Sequence, residues 1–318
     1  MNALVSAQSV SKSYARVQAV RDLSFEIQRG EIFALLGPNG AGKTSMVRIL
    51  VGITRPDSGH VVFRMNGQET TSPDKQLLGY LPEERGFYRE TPVLRTLVYF
   101  AVLRGMAHED ARKAALEWLE RFELTKRAGD KLETLSKGNQ QKVQFISSIL
   151  HKPAFAILDE PFSGLDPINQ EMFVQFIREL RDQGTTILLS AHQMNLVEKL
   201  ADRMFLIHQG REVLSGALDD IRKSSESGQK VLLRVHGEVD PACLPQHADI
   251  QRLERTEDGS LAIWVREEAS LSPVLSALSR ELEIASVHSE RISLHEIFVD
   301  AVSGHVTKER EGELVNEL

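Results

Sequence analysis

Residues 37–44 constrain the fold of this chain more than any other stretch. They read Gly37-Pro38-Asn39-Gly40-Ala41-Gly42-Lys43-Thr44, after the apolar run 32–36 and before a helical pattern that begins at Ser45. A strand, a glycine-rich loop and a helix in this order are the context of a phosphate-binding P-loop. Without Cβ atoms, successive backbone N–H groups can curl around a phosphate, and the helix N-terminus adds its positive dipole. We therefore expect Lys43 to reach the β- and γ-phosphates of a nucleotide and the Thr44 hydroxyl to ligate Mg²⁺.

Composition and charge narrow the class of protein. The 318 residues are 42% hydrophobic and 26% charged, which is typical of a globular protein with one large or two medium domains. The formal net charge of −7 does not indicate the excess of positive charge that is typical of nucleic-acid-binding proteins. The single cysteine, Cys243, excludes an intramolecular disulfide and fits a reducing cytosol. We expect its side chain to be a small buried hydrophobe.

Hydropathy gives no candidate for a membrane-spanning helix. The most apolar stretch, 93–103, is shorter than the roughly 18 residues that such a helix needs, and Arg95 interrupts it. The first six residues lack the charged start and long apolar core of a signal peptide. We therefore expect that the chain does not cross a membrane by itself.

Two different patterns flank the P-loop region. Short alternating strands are expected over residues 4–36. From about 86 to 151 the chain is predicted to form a helical subdomain. One of its helices begins at Thr91-Pro92, with proline at the first helical position, and another follows Ser136, a good N-cap residue.

Apolar strand patterns then return and alternate with helical patterns, as at 155–160 and 185–190. This alternation predicts a mostly parallel sheet covered by helices. Because ligands bind beyond the carboxyl ends of such strands, Asp159, Glu160 and His192 are expected at the ligand site. If its strand lies in the same sheet as the P-loop, Asp159 has the position of an aspartate that holds Mg²⁺ through a water molecule. Glu160 is then placed to polarise the attacking water or to accept its proton.

A linker and a second, smaller domain are predicted after the first domain, which covers 1–220. The linker, 221–229, mixes charge with serine and glycine. Strand and helix patterns over 230–303 predict a small α+β domain without a catalytic constellation of its own. The charged tail, 304–318, is expected to fray. The small domain could sense a ligand and regulate the first domain, or it could be a dimerisation module.

Six motifs stand in the order typical of the ATP-hydrolysing subunits of ABC transporters, and residues 1 to about 220 resemble that family. The motifs are Tyr14, the P-loop, Leu135-Ser136-Lys137-Gly138-Asn139-Gln140-Gln141, Leu158-Asp159-Glu160-Pro161, Ser163-Gly164-Leu165-Asp166 and Ser190-Ala191-His192. The later domain, which ends in the segment 293–298, resembles the C-terminal extension of an exporter branch that includes sodium- and drug-export subunits. The resemblance implies an α/β P-loop NTPase fold with a mostly parallel sheet, an antiparallel β subdomain and a helical subdomain, followed by the α+β extension.

The resemblance also implies roles for individual residues. Tyr14 stacks on adenine, His192 contacts the γ-phosphate, and Asp166 lies in the D-loop that crosses a dimer interface. Catalysis is implied for Glu160, His192 and Lys43, and Mg²⁺ binding for Thr44, Glu83 and Asp159. The implied ATP-binding residues are Tyr14, Gly37, Pro38, Asn39, Gly40, Ala41, Gly42, Lys43, Thr44 and Ser45. The implied signature motif, which completes the site of a second copy, is Ser136, Lys137, Gly138 and Asn139.

Two departures from the family pattern affect these roles. Lys137 replaces a glycine of the signature motif and Asn139 a glutamine, although Gly138 still permits close approach to a phosphate. The glutamine of the Q-loop falls on Glu83. A carboxylate can also ligate Mg²⁺ or its water, since both are hard oxygen ligands, and we expect Glu83 to keep that role.

The sequence thus predicts an ATPase subunit that dimerises around two ATP molecules with Mg²⁺ and drives a separate polytopic permease, as an exporter. It would be cytoplasmic, held at the inner face of the membrane by the permease. Phe87, Tyr88 and the helix over 92–104 are candidates for the permease contact. The alternative is a soluble ABC ATPase acting on nucleic acid or the ribosome. Such proteins commonly carry two ATPase domains or a long coiled coil, whereas this chain has one P-loop, no coiled-coil pattern and an acidic balance, so no nucleic-acid partner is expected.

Overall fold

The computed structural model describes residues 3–84, 86, 89–224, 229–236, 239, 247–256, 258–266, 269–290, 293–294, 296–299 and 301–302. The chain divides into two compact units, Met1–Gly216 and Ala217–Leu318. In the described ranges, every helix is too short or too polar to cross a bilayer. The predictions for Cys243, for Phe87 and Tyr88, and for the tail 304–318 lie outside the described residues.

An antiparallel sheet forms one layer of the first unit, with the strand order β2-β1-β4-β5. Its strands are β1 (Ala3–Tyr14), β2 (Val17–Gln28), β4 (Ser58–Met65) and β5 (Gln68–Thr70). The prediction of several short strands over 4–36 is wrong for its first part, where two 12-residue strands stand instead. A register shift between Ala7 and Val10, where Ser9 has φ 48°, explains the difference. The extra residue of this bulge returns Val10 to the buried face, so one strand continues where strict alternation predicts an end.

A six-stranded sheet carries the P-loop, and its order is β10-β9-β3-β8-β7-β6. The strands are β3 (Ile32–Leu36), β6 (Leu78–Leu81), β7 (Phe155–Asp159), β8 (Thr186–Ala191), β9 (Arg203–His208) and β10 (Arg211–Ala217). β3 pairs in parallel with β8 and β9, and β7 pairs in parallel with β6 and β8. Every residue of β3, β7 and β8 is buried, as expected for parallel strands covered on both faces. The predicted mostly parallel sheet is confirmed.

Among its described residues, the first unit also contains six α-helices: α1 (Lys43–Leu50), α2 (Val93–Leu103), α3 (His108–Arg121), α4 (Lys137–Ile149), α5 (Pro167–Asp182) and α6 (Met194–Leu200). The Ser136 hydroxyl accepts a hydrogen bond from the Asn139 N–H and caps α4, as predicted. Pro92 occupies the N-cap of α2 with ψ 143°, so the placement of proline at the first helical position is wrong by one residue. Asp166 caps α5 by accepting from the Asn169 N–H at 2.9 Å.

An aromatic cluster joins the helical subdomain to α5. Phe122, at the end of α3, lies with its ring centroid 4.6 Å from that of Phe176 and 5.5 Å from that of Phe173, both on α5. Phe145 of α4 packs against Phe173 at 4.7 Å. Trp118 covers the outer side of Phe176 at 5.5 Å. The segments before and after strand β7 therefore share one core.

The second unit contains a four-stranded antiparallel sheet in the order β12-β13-β11-β14, with helices α7 (Leu218–Ser224) and α8 (Leu271–Leu278). Its strands are β11 (Gln229–Val235), β12 (Ile250–Arg255), β13 (Leu261–Val265) and β14 (Ile284–Glu290). Alternate residues of β11 and β13, such as Leu233 and Ile263, pack against Val274 and Leu278 of α8. This is the α+β architecture that the sequence predicts, although α7 reaches into the segment predicted as a linker.

Candidate functional site

The loop 37–44 connects β3 to α1 in the shape that its glycines permit. Gly37 and Gly42 have φ 152° and 113°. A Cβ atom would lie 2.3 Å from the Ile207 carbonyl oxygen at Gly37 and 2.2 Å from the Ala19 carbonyl oxygen at Gly42. Only glycine fits at these two positions, because both obstacles are backbone atoms. The N-cap residue of α1 is Gly42, which has no side chain to cap the helix, so the N–H groups of the first turn remain available to an anion.

The Lys43 side chain folds back onto this loop. Its Nζ donates to the carbonyl oxygens of Gly37 at 2.7 Å and Pro38 at 3.2 Å. Burial lowers the pKa of Lys43, while the carboxylates of Glu160 and Asp159 oppose that shift. An anion in the loop would offer the ammonium a partner of opposite charge in place of these two neutral carbonyl groups.

A cavity of about 400 Å³ opens over the loop, and most of the residues predicted for the site line it. Its lining residues are Ala19, Asn39, Gly40, Ala41, Gly42, Lys43, Thr44, Ser45, Glu83, Asp159 and Glu160. Gly37 and Pro38 do not line the cavity, but their carbonyl oxygens accept from Lys43, and that of Pro38 also accepts from the Ala41 N–H at 3.1 Å. Tyr14 does not line the cavity; it ends β1 with 39% of its surface exposed and with Lys12 Nζ 5.6 Å from its ring centroid.

Asp159 is the most buried acid of the cavity. It ends β7, is 2% exposed, and its Oδ2 atom has no hydrogen-bond partner among the described residues. Burial raises the pKa of Asp159 to about 6; Glu83 and Glu160 add to the shift, while the Ser190 hydroxyl and Lys43 oppose it. A buried carboxylate oxygen without a donor suits a hard cation or a water molecule bound to one.

The donor set fits Mg²⁺ better than a cation that needs a full cage of side chains. Among the described residues, no three His, Cys, Asp or Glu side chains converge on one point. The Thr44 hydroxyl and the Glu83 and Asp159 carboxylates line the cavity and supply only oxygen ligands. Mg²⁺ is held by one or two carboxylates together with water and substrate phosphates, so few protein ligands are required.

Glu160 has an unusual backbone and a fixed side chain. Its φ of 50° lies in the left-handed region, and its N–H donates to the Ser190 carbonyl oxygen at 2.8 Å. The carboxylate is 12% exposed, and its Oε2 lies 2.8 Å from Nδ1 of His192, which follows β8. When Nδ1 carries a proton, His192 donates to Glu160, and Nε2 remains free for another group. The arrangement directs a carboxylate towards the cavity and holds it there.

The residues predicted as the signature motif lie apart from this cavity. Ser136 caps α4, and Gly138 packs beside the loop that carries Asp166, with a Cβ position 3.5 Å from the Gly164 carbonyl oxygen. Lys137 lines a second cavity of about 540 Å³, in which Glu83 also takes part. The structure therefore brings the P-loop, Glu83, Asp159 and Glu160 together, but not Ser136–Asn139.

Two further polar side chains near the catalytic loops are not predicted from the sequence. Gln141 and Gln144 of α4 are almost fully buried and donate to backbone carbonyl groups beside Glu160 and Glu83. Gln141 stands at the end of the motif 135–141, and the signal at Gln144 is a polar residue within the apolar face of a helix. That signal does not identify the partner.

Comparison with known proteins agrees with this geometry. A family model described as "ABC transporter" matches residues 20–163, and one described as "ATP-binding protein DrrA1-3-like, C-terminal domain" matches 216–302. The chain is 38% identical to the uncharacterized ABC transporter ATP-binding protein YhaQ of Bacillus subtilis, over 94% of this chain and 98% of that protein. It is 31% identical to the linearmycin resistance ATP-binding protein LnrL of the same organism, over 92% and 91%. A solved ATP-binding subunit of an ABC transporter superposes with a TM-score of 0.63 at 30% identity, over 69% of this chain and 92% of that one.

Proposed function

This chain belongs to the ABC transporter ATP-binding proteins and is an ATPase of that family, and we propose that two copies of it close around two ATP molecules and drive a separate membrane permease. One observation carries the proposal. The P-loop, Asp159 and Glu160 line one cavity, while the signature motif Ser136–Asn139 lies outside it. A site with its own catalytic acid but without its signature motif is half of an ATP site.

The residues around the cavity have separate tasks in hydrolysis. The P-loop N–H groups and Lys43 bind the phosphates, with Lys43 leaving the carbonyl groups it now contacts. Thr44, Asp159 and Glu83 would hold Mg²⁺, which neutralises charge on the transferred phosphoryl group when it is bound. Glu160 orients the attacking water and accepts its proton.

His192 fixes the Glu160 carboxylate through Nδ1. An imidazolium can donate from both ring nitrogens, so Nε2 is available to the γ-phosphate. Tyr14, exposed at the end of β1, is the proposed adenine contact.

The second copy supplies the signature motif. The N-terminus of α4 with Ser136, Gly138 and Asn139 is an anion site of the type found at helix N-termini. Lys137 adds a positive charge at this end, which compensates for the negative charge that Glu83 brings to the site. Asp166, at the start of α5, belongs to the loop that crosses between the copies.

The permease and the direction of transport are inferred from similarity. LnrL is named for linearmycin resistance, and the C-terminal match is to a DrrA-like domain. We propose a polytopic exporter permease that holds this ATPase at the cytoplasmic face of the membrane. Tyr99 and Leu103 of α2, 49% and 60% exposed, are candidates for the permease contact. Action on nucleic acid or the ribosome remains the alternative, and the acidic net charge argues against it.

The proposed domain division assigns 1–220 to the ATPase domain, with the helical subdomain at about 86–151. The linker 221–229, the accessory domain 230–303 and the tail 304–318 follow. The accessory domain regulates the ATPase or supports the dimer. Its deletion would change ATP turnover in the first case and the dimerisation constant in the second.

The test of the two-site mechanism is the oligomeric state with ATP. Glu160→Gln removes the proton acceptor but keeps the size of the side chain, so ATP should persist and hold a dimer on a sizing column. Glu171→Gln, an exposed acid on α5, is the matched control and should elute as the unaltered protein does. A Glu160→Gln protein that binds ATP and remains monomeric would contradict the proposal.

A further inference from the structure

Two buried amide side chains project from one face of α4. Gln141 and Gln144 are 2% and 3% exposed, and their spacing of three residues places them on the same side of the helix. Buried amides are retained where they make hydrogen bonds, since an unpaired amide is costly to bury. Their partners belong to two different loops of the nucleotide cavity.

Gln141 reaches the loop that carries the catalytic carboxylate. Its Nε2 donates to the Pro161 carbonyl oxygen at 3.0 Å, and the Glu160 carbonyl oxygen lies 3.5 Å from the same atom. Glu160 itself holds a left-handed φ of 50°, a conformation that persists only where its surroundings impose it. The Gln141 amide binds the carbonyl group of this strained residue and that of the residue after it.

Gln144 reaches the loop that carries Glu83. Its Nε2 donates to the carbonyl oxygens of Pro82 at 3.0 Å and Glu84 at 3.3 Å, on both sides of Glu83. Its Oε1 is buried without a hydrogen-bond partner among the described residues. A hydrophobic side chain would avoid that unpaired acceptor, so the contribution of Gln144 at this position lies in its two donated bonds.

We propose that Gln141 and Gln144 are positioning residues through which α4 sets the place of Glu160 and Glu83. The helix begins at the signature motif, so a displacement of its N-terminus is passed through these amides to both loops of the same chain. The inference rests on the proposed function, in which a nucleotide of the second copy contacts that N-terminus. Each ATP site would then sense, through α4, the site that it completes in the partner.

Matched variants distinguish the contribution of the Gln141 amide from that of the Gln144 amide. Gln141→Met and Gln144→Met keep the length of the side chain and remove its donors, and methionine adapts well to a buried site. Ser148→Ala is the control, because Ser148 is a buried polar residue of α4 whose hydroxyl donates within the helix, to the Phe145 carbonyl oxygen at 2.7 Å. Gln144→Asn and Gln141→Asn, which are too short to keep the contacts, replace any methionine variant that does not fold.

The two variants should change different constants. Gln144→Met should raise the Mg²⁺ midpoint about tenfold, the effect of about one lost hydrogen bond, with a smaller change in kcat. Gln141→Met should lower kcat about tenfold and leave the Mg²⁺ midpoint unchanged. In a Glu83→Ala background, Gln144→Met should cause no further rise in the midpoint, because the group that it positions is gone.

The midpoint is measured both by ATP hydrolysis and by binding of a fluorescent ATP analogue under Mg²⁺ titration. The binding measurement needs neither turnover nor a dimer, so failure of the proposed function is distinct from failure of this inference. Three results would overturn the inference. These are constants equal to those of Ser148→Ala, the same constant changed by both variants, or a full Gln144→Met effect in the Glu83→Ala protein.

Discussion

Replacement of His192 tests whether the contact with Glu160 contributes to hydrolysis. A hydrogen bond to a charged group contributes about 1.5–3 kcal/mol. The His192 side chain is 55% exposed, so solvent screening favours the lower figure. Loss of the Nδ1 bond alone should therefore cost about 1.5 kcal/mol of transition-state stabilisation, or about tenfold in kcat. Loss of an Nε2 contact with the γ-phosphate should cost about the same again.

Two substitutions divide these contributions. His192→Asn places an amide donor near the position of Nδ1 and leaves nothing at Nε2, so kcat should fall about tenfold. His192→Ala removes both donors, and kcat should fall about a hundredfold. Steady-state release of phosphate at saturating Mg²⁺ and ATP measures both, with His60→Ala, an exposed histidine of β4, as the control. Equal losses for Asn and Ala would refute a role for the Glu160 contact, and unaltered kcat in His192→Ala would refute both roles.

Three further predictions concern the loop, the core and the effect of pH. Gly42→Ala should abolish binding of a fluorescent ATP analogue, because the new Cβ would lie 2.2 Å from a backbone oxygen. At Gly40 a new Cβ would have no atom within 4 Å. Gly40→Ala should therefore cost only the strain of a left-handed φ, about 1–2 kcal/mol of unfolding free energy measured in urea. Phe122→Ala should destabilise the first unit by about 3–5 kcal/mol and lower its calorimetric Tm, whereas Tyr99→Ala, half exposed, should leave Tm nearly unchanged. Burial lowers the pKa of His151 from 6.5 to about 4, so only the unfolded chain takes up a proton in that interval, and stability should fall as pH falls from 6.5 to 4. His151→Gln should flatten that part of the urea-unfolding profile, and an unchanged slope would contradict the assignment.

Local signals in the sequence are enough to predict the parts of the site that depend on short segments. The P-loop and the Ser136 cap are each specified by neighbouring residues, and both are confirmed in their local structure. Asp159 follows an apolar strand, and a parallel sheet brings the ends of such strands together. The same reasoning places Glu160 beside the segment after β8.

The parts that the sequence does not predict depend on contacts between distant segments. Nothing near Gln144 indicates that its amide reaches the carbonyl groups of residues some 60 positions earlier. The length of β1 depends on the bulge at Ser9, which the pairing partner stabilises. The left-handed conformation of Glu160 is likewise imposed by its surroundings.

The two tryptophans of the sequence are placed so that each compact unit contains one. Trp118 lies in the first unit at the rim of the aromatic cluster, with the Arg121 guanidinium 4.4 Å from its ring centroid. Trp264 lies buried in the second unit, with the Arg252 guanidinium 4.7 Å from its ring centroid. Each unit thus carries its own intrinsic fluorophore next to a cation. Replacing either one with phenylalanine leaves a protein whose tryptophan emission reports on a single unit, so the unfolding of each unit can be followed separately without any attached dye.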